Sequence, residues 1–321
     1  MKAIGIILAG GNNNRMKELT AKRAVPALPV AGSFRSIDFA LSSMSNSHIQ
    51  TVAVLTQYNA RSLNEHLSSS KWWNFGRKQG GLFLFTPTVT ADNSDWYRGT
   101  ADAMYQNIDF LKRRHEPYVI ISSGDCVYKL DFNRVLDFHI EKKSDITVVC
   151  KDMMYNDDVS RFGVVRMDDE SRITEFDEKP IEALSNTIST GIYVIRRRQL
   201  IELLEAAAEE NRFDFVNDIL VRYKNVKKIY GYKINSYWNN IADIDAYFKT
   251  NMDFLRPDVR SYFFREEPTI CSKVDDLPPA KFNPGSDISN SLVSSGCIIN
   301  GSVEDLSLIH ISEPTRPISI S

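Results

Sequence analysis

The run Ile4-Gly5-Ile6-Ile7-Leu8-Ala9 leads into Gly10-Gly11, then Asn12-Asn13-Asn14 and Arg15. Glycine lets a backbone approach a ligand closely, so N–H groups after such a strand can point at phosphate. Arg15 could add the positive charge that a polyphosphate needs. Asparagines stand where a phosphate loop usually carries another glycine, so the segment reads as an altered nucleotide site. A second turn, Gly124-Asp125, follows the apolar run Tyr118-Val119-Ile120-Ile121-Ser122. Its carboxylate is a hard oxygen ligand suited to Mg2+, although Gly-Asp at a strand end is also an ordinary turn.

Both turns need elements to hold them. Residues 4–9, 51–55, 118–122 and 146–150 are short runs rich in β-branched and apolar side chains. Helical patterns lie between them. Residues 100–114 place Ala103, Met104, Ile108 and Leu111 on one face and end on Lys112-Arg113-Arg114, which suits the helix dipole. Residues 133–143 form a second such stretch. Residues 198–211 form a third, with Leu200, Ile201, Leu203, Leu204 and Ala207 as a buried stripe. A helix over 245–255 is expected to stop at Pro257. This alternation predicts an α/β fold with a mostly parallel sheet flanked by helices. Ligands in such folds sit beyond the C-terminal strand ends, where both turns fall.

Bulk properties narrow the function classes. The 321 residues suit one large domain or about two. Their 39 basic and 41 acidic side chains give a net charge of −2, which leaves no electrostatic footprint for nucleic acid. No apolar run of about 18 residues predicts a membrane span, and no signal-peptide pattern opens the chain. Cys126, Cys150, Cys271 and Cys297 match neither a zinc spacing nor a disulfide framework. A reduced, cytoplasmic protein is the expectation.

The texture changes after Pro268. Pro278-Pro279 is a breaker, and Leu292 and Ile298 lie six residues apart with Gly296 and Gly301 near them. A six-residue period is a parallel β-helix signature, which needs about three repeats to bury a core. Residues 306–321 do not continue the period. Ser312-Glu313-Pro314-Thr315-Arg316-Pro317 reads either as a non-native tail appended to a shortened gene or as a flexible terminus.

Several further motifs, in order, resemble those of the bacterial glucose-1-phosphate adenylyltransferases up to about residue 305. They are Leu8-Ala9-Gly10-Gly11 with Arg15, Phe34-Arg35-Ser36-Ile37-Asp38-Phe39, Trp96-Tyr97-Arg98-Gly99-Thr100-Ala101-Asp102-Ala103, and Gly124-Asp125-Cys126-Val127-Tyr128. Phe162-Gly163-Val164, Phe176-Asp177-Glu178-Lys179-Pro180, Ser189-Thr190-Gly191 and Asn290-Ser291-Leu292-Val293 follow. The resemblance implies a Rossmann-like nucleotidyltransferase domain over 1–256. A linker and the start of a left-handed parallel β-helix would occupy 257–305. It implies that ATP and glucose 1-phosphate give ADP-glucose and pyrophosphate with Mg2+ assisting, chemistry that rests on positioning and charge neutralisation.

The same resemblance implies roles. Arg15 and Asp125 would be catalytic, with Asp125 the metal ligand. Leu8, Ala9, Gly10, Gly11, Gly99 and Thr100 would bind nucleotide. Tyr97, Gly163, Glu178, Lys179, Ser189 and Asp214 would line or support the sugar-phosphate pocket. Lys22, Arg23 and Gln57 match positions implicated in sensing an activator, and read equally as solvated loop residues. Three positions depart from active members. Asn13 replaces a glycine, Val25 a lysine, and Asn240, in Trp238-Asn239-Asn240-Ile241-Ala242-Asp243, a metal-binding aspartate. Asp243, three residues on, could substitute as a ligand only with local rearrangement.

These losses make the chain similar to the D-type glycogen biosynthesis subunit, a degenerate family branch that works with a catalytic partner in a hetero-oligomer. The expected function is a regulatory or weakly active subunit that binds ATP and glucose 1-phosphate or ADP-glucose. A fully competent enzyme and a non-catalytic sugar-nucleotide binding or assembly subunit are the alternatives. A thymidylyl or uridylyl enzyme fits Lys22-Arg23 and the Trp96 motif less well.

Overall fold

The computed structural model describes residues 2–11, 14–76, 80–88, 96–154 and 157–308. Its first half runs through β1 (Ala3–Ala9), β2 (Pro29–Val30), β3 (Phe34–Arg35), α1 (Ser36–Asn46), β4 (Thr51–Thr56), α2 (Arg61–Leu67), β5 (Gly81–Phe85), α3 (Thr100–Tyr105), α4 (Ile108–Lys112), β6 (Tyr118–Ser123), β7 (Cys126–Tyr128) and α5 (Phe132–Glu141). Next come β8 (Ile146–Asp152), β9 (Gly163–Met167), β10 (Ile173–Glu178), β11 (Thr187–Arg196), α6 (Arg197–Glu209), β12 (Ile229–Lys233), β13 (Trp238–Asn240), α7 (Ile244–Asp253) and α8 (Pro257–Phe264).

Strands β5, β4, β1 and β6 lie side by side and parallel, with Ile4 opposite both Thr51 and Val119. β11 runs antiparallel between β6 and β8, and β8 pairs parallel with β12. The central strands are apolar on both faces because helices cover both. Along β1, Ala3, Ile7 and Ala9 pack with Ile37 and Leu41, while Ile4 and Ile6 pack with Leu111, Leu200 and Leu204. Each fully buried Leu or Ile contributes about 1.5–3 kcal/mol. The α6 stripe is buried at Leu200, Leu203, Leu204 and Ala207, whereas Ile201 is only partly covered.

Two expected elements differ. The helix over 100–114 is broken into α3 and α4. Asn107 leaves helical geometry, and its side chain donates to the Ala103 carbonyl and the Tyr97 hydroxyl, both at 2.9 Å. An asparagine bonding back to its own backbone competes with the helical ladder. Pro257 does not only end a helix. It opens α8 at a first-turn position, where its missing N–H costs nothing.

Helix α8 brings Phe263 edge-on to Phe39 (5.3 Å) in a third core that also holds Phe254, Ile270, Met16 and Val25. The chain beyond it is stitched to α1 and to the short 3-10 turn Ser70–Trp73 after α2. Asn46 donates to the Thr269 carbonyl at 3.0 Å, Trp73 to the Cys271 carbonyl at 3.1 Å, and Ser272 to Asp38 at 2.6 Å. Further on lie β14 (Lys281–Phe282), β15 (Asp287–Ser289), β16 (Leu292–Val293), β17 (Ile298–Ile299), β18 (Ser302–Glu304) and β19 (Ser307–Leu308). Each of the first three pairs parallel with the strand three further along. Leu292 therefore pairs with Ser307, and its six-residue spacing to Ile298 is a step to the next strand. Of the expected tail, residues 309–321 lie outside the described residues.

Candidate nucleotide and sugar-phosphate site

Parallel pairing brings the ends of β1, β4 and β6 to one edge of the sheet. Leu8 is level with Leu55 and Ser123, and the Gly124 N–H donates to the Leu8 carbonyl at 2.9 Å. A pocket of about 470 Å3 opens there. Leu8, Ala9, Gly10, Gly11, Tyr97, Gly99, Thr100, Val25 and Asp125 are among the residues that line it. The nucleotide-binding candidates are therefore brought together. Glycine is required at Gly99, where a Cβ would lie 2.3 Å from the Phe213 carbonyl oxygen. That close approach lets the Ala101 and Asp102 N–H groups donate to the same oxygen at 2.8 and 3.2 Å, fixing the start of α3.

Asp125 projects from the turn between β6 and β7. Its Oδ1 accepts from Ser123 Oγ at 2.5 Å, and its carbonyl accepts from the Ile241 N–H at 2.9 Å. The second bond clamps the end of β13 against the turn, in register with Asn240 opposite Cys126. Asn240 lies beside Asp125 but its polar atoms are engaged. Its Oδ1 accepts from the Ala242 N–H at 3.0 Å, and its Nδ2 donates to Cys126 Sγ at 3.4 Å. Burial, then the Asp125 charge, pushes the Cys126 thiol well above its usual range, so it stays protonated.

Arg15 does not line this pocket. It lies in an adjoining cleft of about 600 Å3 with Asn240, Trp238, Arg161 and Asp243. The buried Met16 anchors the 3-10 segment that carries it. Asp243 accepts from the Ala246 N–H at 2.7 Å as the N-cap of α7 and forms an ion pair with Arg161. Both commitments leave it unsuited to replace an aspartate at position 240. Asn13 lies outside the described residues.

Of the sugar-phosphate candidates, Gly163, Glu178, Lys179, Ser189 and Asp214 lie on or beside β9, β10, β11 and the segment before residue 216, whereas Tyr97 lines the first pocket. Gly163 faces Glu178 across the β9–β10 ladder, and a Cβ on it would meet Phe176 at 2.8 Å and Glu178 Oε2 at 2.9 Å. Glu178 pairs with Lys179 at 3.1 Å. Burial raises the Glu178 pKa, Lys179 opposes this, and Asp214 adds to it. Lys179 sits at φ 49° and keeps most of its side chain exposed. Asp214 accepts from the Asn217 N–H at 2.7 Å and from Thr100 Oγ1 at 3.5 Å, which joins this region to the start of α3. A bulge at Gly191 (φ 74°) shifts the β11 register and leaves the buried Ser189 hydroxyl donating to Tyr193 at 3.3 Å. Burial raises the Tyr97 pKa.

A family profile described as nucleotidyl transferase matches residues 4–256. A glucose-1-phosphate adenylyltransferase of Clostridium novyi (strain NT) is 37% identical over 305 residues, covering 94% of this chain and 80% of that protein. Those of Pseudothermotoga lettingae and Clostridium acetobutylicum are each 39% identical, covering 95% and 94% of this chain and 73% and 80% of their own. This chain belongs to the glucose-1-phosphate adenylyltransferase family of nucleotidyl transferases.

Within that family, the donor set for a divalent ion is thin. Among the described residues no three His, Cys, Asp or Glu side chains are grouped to hold a metal. Asp125 supplies one carboxylate, and Asn240 turns its oxygen toward Ala242. Mg2+ is commonly held by one or two carboxylates plus substrate phosphates. The residues present thus fit the ion only if phosphate oxygens complete its shell. Val25 contributes no charge; it is buried in the third core beside Met16, Leu28 and Val127.

Of the adenylyltransferase-type regulatory candidates, Gln57 clamps the Tyr97 backbone, accepting from its N–H at 2.8 Å and donating to its carbonyl at 3.4 Å. Asn59 donates to the Thr20 carbonyl at 2.7 Å and accepts the Ala24 N–H through its own carbonyl at 3.2 Å, holding the segment that carries Lys22 and Arg23. Lys22 is exposed, and Arg23 lies close enough to Arg35 to help lower its pKa, after burial. Sequence reasoning gave no role to Cys126 or Arg161. Cys126 follows Asp125 directly, and that adjacency was the available signal. Arg161 pairs with a residue far along the chain and carried none.

Proposed function

We propose that this chain is a regulatory, weakly active subunit of glucose-1-phosphate adenylyltransferase, serving glycogen synthesis in the cytoplasm. The observation that carries the reading is the state of the groups around Asp125. Val25 is an apolar core residue that lines the pocket, and the Asn240 amide bonds to Ala242 and Cys126. A phosphoryl-transfer site works mainly by preorganised charge, and removing one such group slows the reaction about 10²–10³-fold.

In the reaction, a phosphate oxygen of glucose 1-phosphate attacks the α-phosphorus of ATP, and pyrophosphate leaves. Gly10, Gly11, Gly99 and Thr100 would hold the nucleotide beside Leu8 and Ala9. Glu178, Lys179, Tyr97, Gly163, Ser189 and Asp214 would hold or support the sugar phosphate, and Arg15 would meet the leaving pyrophosphate. Mg2+ would neutralise phosphate charge, with Asp125 as its protein carboxylate. Leu8, Ala9, Gly10, Gly11, Tyr97, Gly99, Thr100 and Asp125 line one pocket, which supports retained nucleotide binding with slow turnover.

In this reading residues 1–256 are the nucleotidyltransferase domain and 257–305 a linker and the start of a left-handed β-helix; the segment 306–321, expected to leave the coil as a non-native tail, still continues it at Ser307–Leu308, which pair with Leu292–Val293. The three parallel ladders from β14 to β19 support the coil. Lys22, Arg23 and Gln57 would form the regulatory surface, acting in a hetero-oligomer with a catalytic subunit. The test mixes the full chain with a catalytic relative and follows pyrophosphate release against activator concentration. A changed activator response in the mixture supports the proposal; a mixture that behaves as the catalytic subunit alone contradicts it.

A further inference from the structure

Asn107 interrupts an otherwise helical stretch, leaving helical geometry at φ −109° and ψ 21° between α3 and α4. Its Nδ2 reaches two oxygens, the Ala103 carbonyl and the Tyr97 hydroxyl, each at 2.9 Å. A carbonyl can only accept, so the amide turns its nitrogen toward this pair, and both its hydrogens are then used. The bond to Ala103 is local to the helix. The bond to Tyr97 spans ten residues and ends on a side chain that lines the nucleotide pocket.

Tyr97 is thereby held at both ends. Gln57 bonds its backbone N–H and carbonyl, and Asn107 bonds its hydroxyl. Between these anchors the ring is partly buried against the core that contains Ala103 and Met104. Residues 96–99 belong to no helix or strand, so no ladder of backbone bonds restrains this side chain. A half-buried tyrosine on such a segment has more than one staggered rotamer open to it unless its tip is tied. A ring that changes rotamer must be ordered when a ligand arrives, and that ordering weakens binding. Fixing it beforehand removes the cost.

We infer that Asn107 is a positioning residue for the nucleotide pocket, its amide holding the Tyr97 ring in place before a ligand binds. The break between α3 and α4 then belongs to the site as well as to the fold. The inference rests on the reading of this pocket as a nucleotide site.

The test is calorimetric titration of ADP-glucose into the full chain, a probe that carries both the nucleotide and the sugar. Tyr97→Phe removes the hydroxyl and leaves the Asn107–Ala103 bond in place, whereas Asn107→Ala removes both bonds. Asn107→Ser, with a shorter side chain that still suits the start of α4, replaces the alanine variant if that one does not fold. Each single change should weaken binding about two- to tenfold, the worth of one hydrogen bond read as affinity. The double variant should bind no more weakly than the Asn107 variant alone, because both changes remove the same tie. Unchanged affinity in folded Tyr97→Phe overturns the inference. Losses that add in the double variant also overturn it, since the Tyr97 hydroxyl would then act on the ligand without Asn107. Urea unfolding separates stability from affinity: an Asn107 variant that loses stability and binds ADP-glucose as the parent does has only a structural residue at 107. A parent chain that does not bind ADP-glucose overturns this inference and the nucleotide reading together. A parent that binds it, with variants that bind equally well, overturns this inference alone.

Discussion

Asn240 donates its side-chain N–H to the Cys126 thiol, 3.4 Å away, beside the carboxylate of Asp125. The amide is thus an internal structural partner of β7, and its oxygen is held by the Ala242 N–H. An aspartate at the same place could still accept from the Ala242 N–H, but the Cys126 thiol already donates its one proton to Asp125 Oδ1 at 3.5 Å, so the Cys126 contact made by the amide would be lost.

Restoring charge tests the proposed defect. Val25→Lys with Asn240→Asp should raise the rate of pyrophosphate release by about 10²-fold or more. Asn240→Asp alone should fold normally, with a smaller gain. Steady-state kinetics with ATP, glucose 1-phosphate and Mg2+ read the effect. No gain in a folded double variant would contradict the assignment of slow turnover to Val25 and Asn240.

Gly163 is a positioning residue for Glu178. In Gly163→Ala the new Cβ would press on the Phe176 ring and the Glu178 carboxylate. Overpacking of this kind costs about 1–3 kcal/mol. Urea unfolding should show that loss, and calorimetry should show weaker glucose 1-phosphate binding. Unchanged affinity would remove Glu178 from the sugar-phosphate site.

Stability should fall in mild acid because of His139. It is buried beneath Tyr118, its Nδ1 lies 2.8 Å from Thr147 Oγ1, and burial lowers its pKa to about 4, with Arg196 adding to the shift. In the unfolded chain the ring protonates near pH 6.5. Between those values the unfolded state binds the extra proton, so stability is full above about pH 6.5 and is lost as pH falls toward 4. The loss from this group is at most about 3 kcal/mol. Urea titrations at pH 7 and 4.5 should differ less in His139→Phe than in the parent chain.

The strap after α8 should be tied mainly through Asp38. This fully buried carboxylate accepts from the Arg35 N–H at 2.7 Å and Ser272 Oγ at 2.6 Å, and lies 2.7 Å from His66 Nε2. Ser272→Ala should cost about 1.5–3 kcal/mol, the worth of a hydrogen bond to a charged group. Faster hydrogen exchange around Cys271 should accompany it. An unchanged exchange pattern would show that Trp73, and Ser42, whose hydroxyl accepts from the Cys271 N–H at 2.9 Å, suffice to hold the segment.

The parallel strands and the glycine turns were legible because local rules specify them. The apolar run of β1 and the Gly10-Gly11 turn needed no distant partner to be recognised. Motif resemblance supplied Asp125 and the loss at Asn240. The use to which Asn240 is put was hidden, because Cys126 reaches it only when β13 pairs with β7. Arg161–Asp243 and Asp38–Ser272 were hidden for the same reason, being pairs made by topology. The break between α3 and α4 was missed because helical periodicity does not see a side chain bonding its own backbone.

The most direct measurement is the rate of pyrophosphate release by the isolated full-length chain, with saturating ATP, glucose 1-phosphate and Mg2+. On the proposed reading, in which Val25 and Asn240 stand in place of charged groups near Asp125, the rate should fall at least about 10²-fold below that of a catalytic relative under the same conditions. A rate equal to the relative's would contradict the account.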